Sequence, residues 1–125
     1  MSLAILLAEL EVAADADTEA GERAIDALRA RIATLGPAAR ATLAAELAAR
    51  VREAEMLHAA ALGESLLLTN DLEDWRTRPP LPGRDERIAN LERALRDADA
   101  VVYEYDELLR ELTQLTALLL TAERA

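Results

Sequence analysis

The sequence predicts an all-α protein built around a long antiparallel helical hairpin, and three observations predict it. First, Ile88, Leu91, Leu95, Ala98, Val102, Tyr105, Leu109, Leu112, Thr116 and Leu119 are spaced three and four apart, and all but Thr116 are apolar or aromatic. Such spacing keeps one stripe of a long helix against a partner helix over about nine turns, roughly 50 Å at 1.5 Å per residue. Second, the chain is rich in Ala and Leu, the strongest helix formers, and poor in the β-branched and aromatic residues that mark strands: Phe is absent and Trp75, Tyr103 and Tyr105 are the aromatics. Third, Pro79, Pro80, Pro82 and Gly83 cluster between two long periodic segments, where no helix interior accommodates them and a hairpin connection does.

The elements follow in order. Leu3, Leu6, Leu10 and Ala13 share a face and predict a first helix over 2–14 with Ser2 as N-cap. Thr18 is the expected N-cap of a second helix over 18–35, whose stripe is Ile25, Leu28, Ile32 and Leu35 and whose first turn holds Glu19 and Glu22. Gly36 and Pro37 stand in the order of a C′ glycine followed by an N1 proline. The third helix is expected over 37–69, with Leu47, Ala54, Ala61 and Leu68 as its central column, and Gly63 inside it is a candidate kink. The connection covers 70–83 and the fourth helix 84–122.

At 125 residues the chain fits one domain, residues 1–125, and 52% hydrophobic content suffices for a core. The two short helices can cover only part of the two long ones, so a four-helix bundle is expected at one end, holding Leu43, Leu47, Leu109, Leu112 and Leu119. The rest of the hairpin then exposes apolar surface at Ile88, Leu91, Leu66 and Leu67, and a homodimer that closes this surface is the expectation.

Composition excludes several function classes. There is no cysteine, so disulfides, thiol catalysis and cysteine-zinc sites are ruled out. Net charge is −10 and every basic residue is Arg, which sets the chain against nucleic-acid phosphates and anionic membrane surfaces. Residues 1–8 are apolar but lack a basic leader and run into Glu9 and Glu11, which reads as helix rather than signal peptide. The longest uncharged run, Leu112 to Ala122, has 11 residues, against the roughly 20 that a bilayer demands. A soluble, cytoplasmic protein is expected.

Few residues suggest chemistry, and no catalytic or cofactor-binding residue is assigned. The lone histidine, His58, follows Glu55 by three, a spacing that sets carboxylate and imidazole side by side and that di-metal bundles use. If the hairpin folds near residue 77, His58 lies level with residues 96–99, so Glu55, His58 and Asp99 form a candidate divalent-metal group. A di-metal site of this kind uses more carboxylates and a second such motif, and the alternative is that His58 sits at the core edge and meets a carboxylate across the hairpin. Glu53, Glu55, Asp97, Asp99 and Glu104 are the carboxylates a Mg²⁺-dependent nucleotide pyrophosphohydrolase would cluster, but they lack the paired-glutamate spacing such enzymes use and read equally as a solvated face. Ser2 and Ser65 sit in no nucleophile context, and Thr113, Thr116 and Thr121 are expected to bond back to their own helix.

The connection is the most unusual local feature. Trp75, Arg76, Arg78, Pro79, Pro82 and Arg84 fit a polyproline-II ligand in both directions, with Arg76-x-x-Pro79-x-x-Pro82 one way and Pro79-x-x-Pro82-x-Arg84 the other. Arg76, Arg78, Arg84 and Arg87 also make it the one net-basic stretch of an acidic chain, and Trp and Arg dominate binding hot spots. Against this, prolines stiffen a crossover whether or not anything binds it. The expectation is a non-enzymatic helical-bundle protein that acts by protein–protein interaction and self-associates, with a carboxylate-rich metal-binding bundle as the alternative.

Overall fold

The computed structural model describes the backbone of residues 2–124 and the side chains of residues 2–122; Met1 and Ala125, at the ends of the expected domain, lie outside the described residues. The protein is all-α. Helices α1 (Leu3–Asp15), α2 (Thr18–Ala33), α3 (Pro37–Thr77) and α4 (Arg84–Arg124) hold 13, 16, 41 and 41 residues, and there is no strand among the described residues. Two compact units divide the chain: one comprises Met1–Glu53 with Leu108–Ala125, the other Ala54–Glu107.

In the first unit, α1 starts as its sequence dictates, with the Ser2 hydroxyl accepting from the Ile5 N–H at 3.3 Å. Helix α2 starts at Thr18 as expected, but its N-cap lies one residue earlier. Asp17, not Thr18, is the N-cap, and its carboxylate accepts from the Ala20 N–H at 2.9 Å. A charged acceptor satisfies an orphan helix donor more strongly than a hydroxyl and also meets the positive end of the macrodipole. At the other end α2 closes through i→i+3 bonds, from the Thr34 N–H to Arg31 and from the Leu35 N–H to Ile32. Gly36 therefore does not cap it in a left-handed conformation. Instead its carbonyl accepts from the Arg40 N–H at 3.0 Å, making it the N-cap of α3 with Pro37 at N1.

Helices α1 and α2 pack closely because Gly21 permits it. A Cβ at this buried position would lie 2.7 Å from the Ala13 carbonyl oxygen, closer than any side chain is tolerated. Arg31 spans the same pair and donates to Glu9 at 2.6 Å. The core of the unit draws on all four helices: Leu6, Leu10, Leu28, Ile32, Leu43, Leu47, Leu112, Leu115, Leu118 and Leu119 are all buried. Of these, Leu43, Leu47, Leu112 and Leu119 were expected there, and Leu109 is half-buried.

The second unit is built from one helix pair. Its α3 segment buries Ala54, Ala61 and Leu72, and its α4 segment buries Leu91 and Ala98. Polar pairs across it fix the antiparallel direction: Ser65 Oγ donates to Asp99 Oδ1 at 2.6 Å, Arg76 to Glu92 at 3.2 Å, and Arg87 to Asp71 at 3.5 Å. All ten positions of the α4 stripe are buried or half-buried.

Three local expectations need correction. α3 does not end near Thr69; it runs to Thr77, because Leu72 continues the buried column and the first true obstacle is Pro79, which disfavours helical torsions at the residue before it. Gly63 does not break the helix. Leu91 is buried and Ile88 half-buried, so the exposed apolar surface of this unit lies elsewhere: on α3 at Met56, Leu66 and Leu67, with 67, 62 and 71% exposure, and on α4 at Tyr103, with 65%.

The connection is a tight turn. The Arg84 N–H donates to the Leu81 carbonyl at 3.1 Å, Pro82 occupies the second position, and Gly83 takes a φ of 83°. These are the marks of a type II turn, whose third residue needs the left-handed region that glycine enters without strain. The Gly83 carbonyl then accepts from the Arg87 N–H at 3.0 Å and opens α4.

Candidate functional site

Helix α3 carries His58 on the flank of its buried column, in the half-buried row of Val51, His58 and Ser65. Across the pair it meets Asp106, not Asp99: Nε2 lies 2.7 Å from Oδ1. The contact is short but poorly directed. Nε2 is buried and its N–H does not aim at the oxygen, so the two groups touch without a well-formed hydrogen bond. Asp99 is engaged one turn pair further on, by the Ser65 hydroxyl. Glu55 stays exposed.

Glu55, His58 and Asp99 are therefore not brought together, and the reason is register. The pairs 58 with 106 and 65 with 99 both centre on residue 82, whereas a fold near residue 77 would have set position 58 against 96–99. The extra length of α3 moves the turn, and each α4 partner moves with it. Among the described residues no three His, Cys, Asp or Glu side chains converge as a metal would require. Of the other carboxylates considered, Glu53 pairs with Arg50 at 3.2 Å, while Asp97 and Glu104 are exposed. The Thr113, Thr116 and Thr121 hydroxyls donate to carbonyls four residues back in α4, each at 2.8 Å, as expected.

At the connection, the arginines are spent inside the chain. Arg78 pairs with Asp74 at 2.6 Å and holds its guanidinium carbon 4.3 Å from the centroid of the half-buried Trp75 ring, a cation–π geometry. Arg76 pairs with Glu92 and Arg87 with Asp71. Arg84 donates from Nη2 to the Arg76 carbonyl at 2.8 Å, covering an orphan acceptor in the last turn of α3, and its Nη1 lies 3.4 Å from Asp85. Each cation of the basic stretch thus stands beside a carboxylate, and the local positive charge read from the sequence is balanced. Pro79, Pro80, Leu81 and Pro82 are exposed.

Two open apolar grooves lie in the first unit. One, of about 670 Å³, runs between α3 and α4 past Ala44, Leu47, Val51, Thr116, Ala117 and Leu120. The other, of about 460 Å³, lies between α1 and α2 past Ile5, Val12 and Ala27. The walls are mainly apolar; the first groove also carries Arg52, Thr113 and Thr116, and the second the Glu9–Arg31 ion pair.

Sequence reasoning missed three features. Asp106 as the partner of His58 depended on the position of the turn. Gly21 gave no signal, since its role is defined by a carbonyl of another helix. The exposure of Met56 beside Leu66 and Leu67 was legible in principle, because all three lie on the side of α3 opposite its alanine column. No helix among the described residues is long and apolar enough to cross a membrane. No protein-family model, no curated protein and no solved structure matches the chain.

Proposed function

We propose that this is a non-enzymatic helical protein that works through protein–protein contact and pairs with a second copy of itself in a coiled-coil-like manner. The observation that carries the reading is the exposed apolar face of α3 in the second unit, where Met56, Leu66 and Leu67 are each more than half exposed while the opposite side of the same helix is buried. Large apolar patches on monomers mark interaction surfaces. The metal-binding alternative finds no supporting group of three or more His, Cys, Asp or Glu among the described residues.

A second contact surface is the connection. Leu81 is 60% exposed and stands among Pro79, Pro80 and Pro82, a segment whose torsions are largely preset for docking into an aromatic groove. Arg76, Arg78 and Arg84 stand beside carboxylates and Trp75 lies under Arg78, so the exposed proline segment rather than free cations is the part offered to a partner. A cytoplasmic setting completes the reading.

Multi-angle light scattering of the purified chain tests self-association. The expected mass at micromolar concentration is twice 13.6 kDa. A single monomer mass up to millimolar concentration would overturn the proposal.

A further inference from the structure

We infer that the open groove between α3 and α4 in the first unit binds an aliphatic carboxylate, its chain against the apolar wall and its headgroup on Arg52. The inference goes beyond self-association and does not depend on it. Ala44, Ala48 and Val51 line the groove from α3, and Ala117 and Leu120 line it from α4, all of them within the first unit. At about 670 Å³ it has the size of a small-molecule site.

Charge selects the occupant. Arg52 lines the groove, is exposed, and has no ion-pair or hydrogen-bond partner among the described residues. With 24 acidic residues to 14 arginines, carboxylates are in excess throughout the chain. Yet Glu53 is taken by Arg50 at 3.2 Å, and Glu55, three residues beyond Arg52, stays apart from it. The groove between α1 and α2 supplies the contrast, because its cation, Arg31, is neutralised by Glu9 at 2.6 Å. Both grooves have apolar walls, and of the two the first offers an unpaired guanidinium to an incoming anion.

A carboxylate suits this wall better than a hydroxyl or an amine. Thr113 and Thr116 have their hydroxyl protons committed to the Leu109 and Leu112 carbonyls, each at 2.8 Å. Arg52 is therefore the donor that a ligand meets, and its planar fork matches the two oxygens of a carboxylate. An amine would meet a like charge.

The groove also sets the length of the chain. Arg40 donates to the Ala122 carbonyl at 3.5 Å, which fixes the register of α3 against α4 in this unit. Continued along the helices, that register puts Ala44 at the Leu120 end of the groove and Arg52 at its Thr113 end. From Ala44 to Arg52 the helical rise covers about 12 Å, the reach of about ten carbons in an extended chain.

An amide NMR titration of the full chain with sodium decanoate, kept below its micelle concentration, tests the site. Saturable shifts are expected at residues 44–52 and 113–120. Octanoate should bind roughly tenfold more weakly, since two buried methylenes are lost, and octylamine should leave these amides unmoved. Arg52→Gln is expected to weaken decanoate at least tenfold with its melting temperature unchanged, and Ala48→Leu to abolish saturation by filling the groove. Ala117→Leu replaces the latter if Ala48→Leu does not fold. No saturable shift at millimolar decanoate would overturn the proposal, as would shifts confined to the α1–α2 groove or to residues 56–67. Decanoate affinity that survives Arg52→Gln, or octylamine binding equal to octanoate, would overturn the role given to Arg52 and with it the carboxylate.

Discussion

The two units solve the burial problem differently. In the first, segments of four helices surround one another, and the interior is made of large side chains: Leu6, Leu10, Leu28, Ile32, Leu112 and Leu115 are almost completely enclosed. In the second, two helices have only each other, and three of the five buried positions are alanines, Ala54, Ala61 and Ala98. A helix with a single neighbour can enclose one narrow stripe, so small residues bring the backbones together and the flanks are fastened by polar pairs such as Ser65 with Asp99 and Arg76 with Glu92. Hydrophobic burial rises with apolar area removed from water, whereas exposed ion pairs contribute little. The first unit therefore carries most of the stability, and the second carries register and available surface.

The largest expected effect tests that division. Leu112→Ala empties a fully enclosed site in the first unit and should cost about 3 kcal/mol, read by urea denaturation, with Tyr103→Ala at an exposed position of the second unit costing under about 0.5 kcal/mol. Equal losses would erase the contrast.

A smaller pair of effects sharpens it. Gly21→Ala improves helix propensity yet drives a Cβ to 2.7 Å from the Ala13 carbonyl, and the backbone shift should leave a net destabilisation of about 1 to 3 kcal/mol. A thermal melt in which Gly21→Ala is as stable as the unaltered chain would show that α1 and α2 separate without loss.

The smallest effect concerns His58 and Asp106. The carboxylate is about half exposed and the contact poorly directed, so a double-mutant cycle with His58→Ala and Asp106→Ala should return a coupling below about 1 kcal/mol. A coupling of several kcal/mol would mean that the second unit depends on its polar pairs far more than its exposure allows.

How much of this was legible beforehand depends on the range of the physics. The α4 stripe was readable because its three-and-four spacing is the geometry of one helix face, and all ten positions are at least half-buried. The start of α1 and the turn at Pro82 and Gly83 were readable because capping and turn chemistry act over three or four residues. The end of α3 was not. Asn70, Asp71 and Asp74 look like loop, and only the burial of Leu72 against the rest of its unit keeps that segment helical. That error carried over to the candidate site, since a turn placed a few residues early assigns His58 the wrong carboxylate. Gly21 was hidden for a deeper reason, because nothing within its own helix distinguishes it from a mere weakness.

The type II turn at Leu81–Arg84 bears on how the molecule assembles. Only residues 78–83 separate the two long helices, so bringing their ends together restricts few torsions, several of them already fixed by proline. Pairing can begin at Arg76 and Glu92, sixteen residues apart, and advance like a closing zip through Ser65 with Asp99, thirty-four apart. In the first unit, Arg40 reaches the carbonyl of Ala122 across eighty-two residues. Short-range contacts form early and distant ones late, which makes this small bend the natural place for the chain to start folding.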